Sequence, residues 1–169
     1  MTETLSIDLP DEVFEGIHGL LDKACEQHCV LATAESCTGG LLASLLTDVE
    51  GKSHIFDRGF LVYSDKAKTA MLGVPRTLIA DHGSVSQQVA VAMAEGALDR
   101  SDADIAIAIT GFAGPAGPTD EEGLVHYACA RRGAQTRHRE AHYGACGRGN
   151  VRINCIRTSI EMMHQQLAG

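Results

Sequence analysis

The 169-residue sequence predicts an α/β domain: a mixed, mostly parallel β-sheet covered by helices on both faces. Three observations carry that expectation. Stretches with apolar residues three and four apart alternate with short apolar runs, glycine-rich turns follow the clearest of those runs, and 44% hydrophobic residues suffice for one core but not two. A single domain over residues 1–169 is therefore expected, with no repeat and no linker.

From Val13 to Cys29 the residues Val13, Ile17, Leu20, Leu21, Ala24 and Cys25 follow helical spacing and mark one buried stripe. Val30 to Ala34 is short and apolar and runs into Glu35-Ser36-Cys37-Thr38-Gly39-Gly40, a strand ending in a tight turn. Leu41–Val49 then reads as a second helix. His54 to Tyr63 is strand-like, and Ser64 is placed to cap a helix over Asp65–Leu72 that Gly73 and Pro75 close. Ser86 caps a helix over Gln87–Arg100, and Asp104–Thr110 is the plainest strand in the chain. A breaker-rich loop from Gly111 to Glu122 leads to a strand over Gly123–Arg132, paired as a hairpin across Arg132-Gly133 with Ala134–Tyr143. The last helix carries a core-facing seam of Ile153, Ile156, Ile160, Met163 and Leu167.

Composition narrows the function. The 22 acidic residues against 14 basic ones leave a net charge of −8, which disfavours nucleic acid and anionic membranes as partners. Aromatic residues make up 4% and Trp is absent, so platforms for base stacking are not expected. No apolar run approaches the roughly 18 residues of a membrane span, and the acidic start differs from a signal peptide, so a cytoplasmic protein is expected. Six cysteines are too sparse for a disulfide scaffold.

Four constellations could carry chemistry. At Ala34-Glu35-Ser36-Cys37-Thr38-Gly39-Gly40, hydroxyls sit between a strand and a helix whose first amides would favour an oxyanion or phosphate; an ordinary cap and glycine turn is the alternative. At Tyr63-Ser64-Asp65-Lys66-Ala67-Lys68, a desolvated lysine would serve as general base to a serine, with Lys68 stacked over Ser64 and Tyr63 and Lys66 turned away; a solvated first turn is the alternative. Thr110 and the loop to Gly117 offer a hydroxyl and backbone donors but neither a dinucleotide nor a Walker fingerprint. Seven arginines (131, 132, 137, 139, 148, 152 and 157) face the single acid Glu140, and Arg148 and Arg152 share a helical face that would clamp one phosphate or carboxylate. An RNA-binding patch and a solvated face are the other readings of this island. Cys25, His28, Cys29 and Cys37 lack a second pair at zinc spacing, and His138 and His142 would share a strand face without neighbouring ligands, so no metal is expected.

These motifs together resemble the CinA carboxy-terminal domain family, whose stand-alone form includes nicotinamide mononucleotide amidohydrolases. The resemblance runs from the first helix to the last. It rests on Ala34 to Gly40, on Gly59 with Tyr63-Ser64 through Lys68, on His82-Gly83-Ser84-Val85-Ser86, and on Ile109-Thr110-Gly111 with Ala113-Gly114-Pro115. It implies a three-layer α/β/α sandwich that hydrolyses the carboxamide of nicotinamide mononucleotide to nicotinic acid mononucleotide and ammonia, in pyridine nucleotide salvage, without a cofactor. The family's nucleophilic serine falls on Ser36, its tyrosine on Tyr63 and its lysine on Lys68. Glu35, Thr38, Gly39, Gly40, Thr110, Gly111, Gly114 and Arg148 are the expected substrate contacts, and a homodimer is expected. A catalytically weak mononucleotide-binding or partner-binding domain of the same fold is the alternative. The family commonly has Gly-Asp-Arg before its last helix, where this chain has Cys146-Gly147-Arg148, and the glycine loop is shorter, with Thr119 to Gly123 in place of a longer stretch. Activities of the larger amino-terminal domain fused in some relatives are not carried over.

Overall fold

A computed structural model describes residues 9–169. In chain order the elements are α1 (Asp11–Glu26), β1 (Leu31–Glu35), α2 (Leu41–Leu46), a 3-10 turn at Ser53–Ile55, β2 (Phe56–Leu61), α3 (Asp65–Leu72), α4 (Arg76–His82), α5 (Gln87–Asp99), β3 (Ile105–Gly111), β4 (Leu124–Arg131), β5 (Arg137–His142) and α6 (Arg148–Ala168). The five strands form one sheet in the order β2-β1-β3-β4-β5. β1 pairs parallel to both β2 and β3, whereas β4 is antiparallel to β3 and to β5, so four of the five strands run one way.

The two faces of the sheet are packed differently. On β3, Ile105, Ile107 and Ile109 point toward α1, α2 and α6, while Ala106 and Ala108 point toward α3, α4 and α5. Branched side chains fill a thick core on the first face. Alanines on the second bring α5 close to the strands. Crowding continues outward, because a Cβ added at Gly96 of α5 would stand 2.1 Å from the Leu72 carbonyl oxygen at the end of α3. Gly96→Ala is therefore expected to lower stability by about 1–3 kcal/mol, read as a lower urea midpoint at unchanged slope. An unchanged midpoint would show that α3 and α5 can separate freely.

The seam of α6 is spent on the chain's own core: Ile156, Ile160, Met163 and Leu167 are buried against α1 and the sheet. Two residues beyond the end of α1, His28 with its φ of 52° turns the chain back toward β1. No helix among the described residues is long and apolar enough to cross a membrane.

Some expectations shift at their edges. α4 has no counterpart in the sequence pattern, where Gly73 and Pro75 both read as terminators; Pro75 instead precedes the first helical residue, where its fixed φ suits entry into a helix. The expected tight turn across Arg132-Gly133 is a longer connection over residues 132–136. The Arg132 guanidinium donates to the carbonyls of Leu98, Ser101 and Ala103, which ties that connection to the end of α5 instead of leaving it free to fold back at once.

Candidate active site

The parallel strands β1 and β2 and the neighbouring β3 all end on one side of the sheet, where open α/β sheets hold their ligands. A cleft of about 270 Å³ lies there, lined by Ser36, Tyr63, Lys68, Ser84, Thr110 and Arg148 together with Cys37 and the Gly111–Pro115 loop. Residues separated by more than a hundred positions thus share one hollow.

Ser36 follows β1 directly. Its amide donates to the Ile109 carbonyl at 3.0 Å, extending the β1–β3 pairing by one residue, and the Val62 amide does the same to Glu35 at 2.8 Å. The turn after Ser36 is held from below by Glu35. Its carboxyl group is 1% exposed and accepts from the Thr38 hydroxyl (2.7 Å) and from the amides of Gly40 (3.1 Å), Leu42 (3.1 Å) and Ala43 (2.8 Å). This changes two expectations. Glu35 and Thr38 do not line the cleft, nor do Gly39 and Gly40; all four shape the turn beside it. The Leu42 and Ala43 amides at the start of α2 already donate to the Glu35 carboxyl group and are not available to an oxyanion or phosphate. Gly39 and Gly40, with φ of 66° and 90°, let the chain make this turn.

Lys68 lies on α3, four residues after the cap Ser64, whose hydroxyl accepts from the Ala67 amide at 3.1 Å. Its side chain is 2% exposed. Burial holds its ammonium below the usual lysine value, and Asp65, with a carboxyl oxygen 3.8 Å from Nζ, pulls it partly back. Its nearest partner is Ser84, whose Oγ accepts from Nζ at 2.6 Å. Among the described residues no hydrogen bond joins Lys68 to Ser36, and the largely exposed Tyr63 at the rim bonds to neither. Ser84 was missing from the candidates drawn from sequence. The motif containing it was visible, but nothing in a lone serine after a glycine signals that it faces a lysine sixteen residues earlier.

Thr110 and Gly111 end β3, and the Thr110 hydroxyl donates to the Ser84 carbonyl at 2.9 Å. Gly114 lies so close to the Arg148 guanidinium that a Cβ there would stand 2.4 Å from Nη2, so a side chain at this position would push the guanidinium aside. Arg148 and Arg152 do not form a joint clamp. Arg152 instead donates from Nε to the Cys37 carbonyl at 3.0 Å and braces the turn beside Ser36. The Cys37 thiol is buried next to that of Cys155 on α6; Cys155 is pushed well above its ordinary value by this contact and by burial.

The other arginines are spread over separate tasks. Arg132 holds the end of α5, Arg139 pairs with Glu161 at 2.6 Å, and Arg157 pairs with Glu12 at 2.5 Å. Arg131, Arg132, Arg137 and Arg139 also border a hollow of about 750 Å³ away from the candidate site. His138 and His142 do have titratable neighbours, contrary to expectation. They share a face with Glu140; His126 stacks on His138 with ring centroids 5.3 Å apart, and His142 lies 2.7 Å from Glu121. Among the described residues no three such side chains are arranged to hold a metal ion.

Fold and site define an α/β domain with a serine and a buried lysine gathered at the carboxyl ends of a mostly parallel sheet. The CinA C-terminal domain model matches residues 16–167, and the chain belongs to that family. It is 40% identical to the competence/damage inducible protein CihA from Agrobacterium tumefaciens, with a TM-score of 0.92 over 98% of this chain and 100% of that one. It is 33% identical to a competence-damaged protein (CinA) superfamily protein from Escherichia coli, with a TM-score of 0.87 over 95% and 94% of the two chains. Among curated relatives, a CinA-like protein of Akkermansia muciniphila is 54% identical over 114 residues, 66% of this chain and 28% of that protein. A CinA-like protein of Syntrophus aciditrophicus is 39% identical over 160 residues, 94% of this chain and 37% of that protein. The chain thus matches well under half the length of these curated relatives.

Proposed function

We propose that this domain hydrolyses the carboxamide of nicotinamide mononucleotide to nicotinic acid mononucleotide and ammonia, in the cytoplasm, with Ser36 as nucleophile. The observation that carries the reading is the meeting of Ser36 with a buried lysine of lowered proton affinity in a cleft that also receives one arginine. The choice of substrate comes from the family resemblance. A neutral Lys68 accepts the Ser36 proton, directly or through Tyr63, as the serine oxygen attacks the carboxamide carbon. The Gly111–Pro115 loop, or the Cys37 amide that Glu35 leaves unclaimed, supplies donors to the oxyanion. Arg148 offers the phosphate a cation.

The test is ammonia and nicotinic acid mononucleotide release by the purified, metal-stripped protein, with Ser36→Ala alongside. The variant is expected to lose roughly 10³-fold or more of the activity. Full activity in Ser36→Ala would exclude the mechanism. One observation favours a second reading, a mononucleotide-binding domain with little turnover: Lys68 is bonded to Ser84 and not to Ser36. Calorimetric binding of nicotinamide mononucleotide without product release would select it.

A further inference from the structure

Ser84 is the cleft residue whose hydroxyl the reading above leaves without a task. Its backbone is pinned on both sides. The Thr110 hydroxyl donates to its carbonyl, and two residues on, the Ser86 hydroxyl donates to the Gly83 carbonyl at 2.9 Å while accepting from the Val89 amide at 3.3 Å as the cap of α5. Gly83, with φ of 80°, turns the chain between these anchors. The hydroxyl is therefore held in one place, against Lys68 on one side and the cleft on the other. Because Lys68 Nζ donates to Ser84 Oγ, one lone pair of the oxygen is engaged by the lysine and its own hydrogen is free to point into the cleft.

We propose that the Ser84 hydroxyl is a catalytic proton relay between Lys68 and the leaving nitrogen of the amide. The inference rests on the amidohydrolase reading and supplies the step that reading omits. When Ser36 adds to the carboxamide carbon, a C–O bond forms and the serine proton passes to neutral Lys68. The tetrahedral adduct then collapses, with the C–N bond breaking and its electron pair going to nitrogen. An amide nitrogen does not depart as an anion, so it must receive a proton as it leaves. Ser84 gives its hydroxyl proton to that nitrogen and takes one from the Lys68 ammonium. Ammonia departs, Lys68 is neutral again, and the acyl group remains on Ser36. Water then attacks the ester carbon, its proton passing to Lys68, and Ser36 leaves with that proton, so that one water is consumed for each ammonia and acid produced.

The relay is distinguished from a structural role by the leaving group. Ser84→Ala is expected to lower kcat for nicotinamide mononucleotide about 100-fold with little change in KM. Ser84→Thr, which keeps a hydroxyl, recovers most of it. With the 4-nitrophenyl ester of nicotinic acid mononucleotide, whose nitrophenolate departs without a proton, the acylation burst of Ser84→Ala is expected to match the wild type. An equal loss on amide and ester, or failure of threonine to restore the amide reaction, overturns the relay in favour of a packing role. Wild-type ammonia release matched by Ser84→Ala overturns the relay alone, leaving the amidohydrolase reading intact. Absence of ammonia release from the wild type overturns that reading and the relay with it.

Discussion

Lys68→Met is expected to lower the rate of amide hydrolysis by about 10²–10⁴-fold and, at neutral pH, to make the fold more stable. The two effects share one cause. A side chain 2% exposed has lost most of its water, and among the described residues its ammonium keeps Ser84 Oγ and the more distant Asp65 carboxyl as compensation. Burial lowers its proton affinity in the folded protein, so between the folded and unfolded pKa values the unfolded chain binds more protons, and stability rises with pH across that window. Below the folded pKa the whole penalty is present; above the ordinary lysine value of 10.5 it is gone. Methionine removes the charge and keeps the volume, so its stabilising effect is greatest below the folded pKa and vanishes at high alkaline pH. In activity the same shift is expected to place the acid limb of the kcat/KM profile below 10.5, since the proposed mechanism works through neutral Lys68. Urea midpoints at two pH values and a pH–rate profile check both parts. A variant that is inactive and also less stable at neutral pH would show that Lys68 is a structural ion-pair partner.

Glu35→Ala is expected to cost about 3–5 kcal/mol, with activity lost even in the fraction that remains folded. One carboxyl group takes the Thr38 hydroxyl and three backbone amides. Deleting it leaves those donors facing a small void instead of water, each carrying its own desolvation cost of about 1–3 kcal/mol unless a water enters. Glu35→Gln keeps the shape but must present an NH₂ group to donors, so it recovers only part of the loss. A near-neutral alanine variant in chemical denaturation would show that the turn holds itself.

In the sequence Glu35 reads as a ligand contact, whereas in the fold it lies beneath the turn. An acid beside a hydroxyl-rich turn has the same one-dimensional signature whether it faces outward or folds beneath the helix that follows. Only the alternation of β1, which puts Leu31, Thr33 and Glu35 on one side, separates the cases, and a five-residue strand is too short for a phase to be certain. Periodicity did identify β3 and α5 closely, since each repeats its pattern for several turns or alternations. Ser36, Tyr63, Thr110, Gly111 and Gly114 are legible because strand ends and glycine loops announce themselves, Lys68 and Arg148 because helical spacing sets each on a face, and all seven line the cleft. Ser84 and the Arg152 brace are not. Both act across contacts, Lys68 with Ser84 and Cys37 with Arg152, that local pattern does not encode.

The arginine that braces the Ser36 turn and the one that enters the cleft both belong to α6, the final element. A chain emerging from the ribosome displays its serine, lysine and glycine loop well before that helix is made. Until α6 docks, the turn lacks its brace and the hollow lacks its cation. Translation order thus sets a sequence of assembly: the cleft of the proposed reaction is complete only when nearly all of the domain has been synthesised.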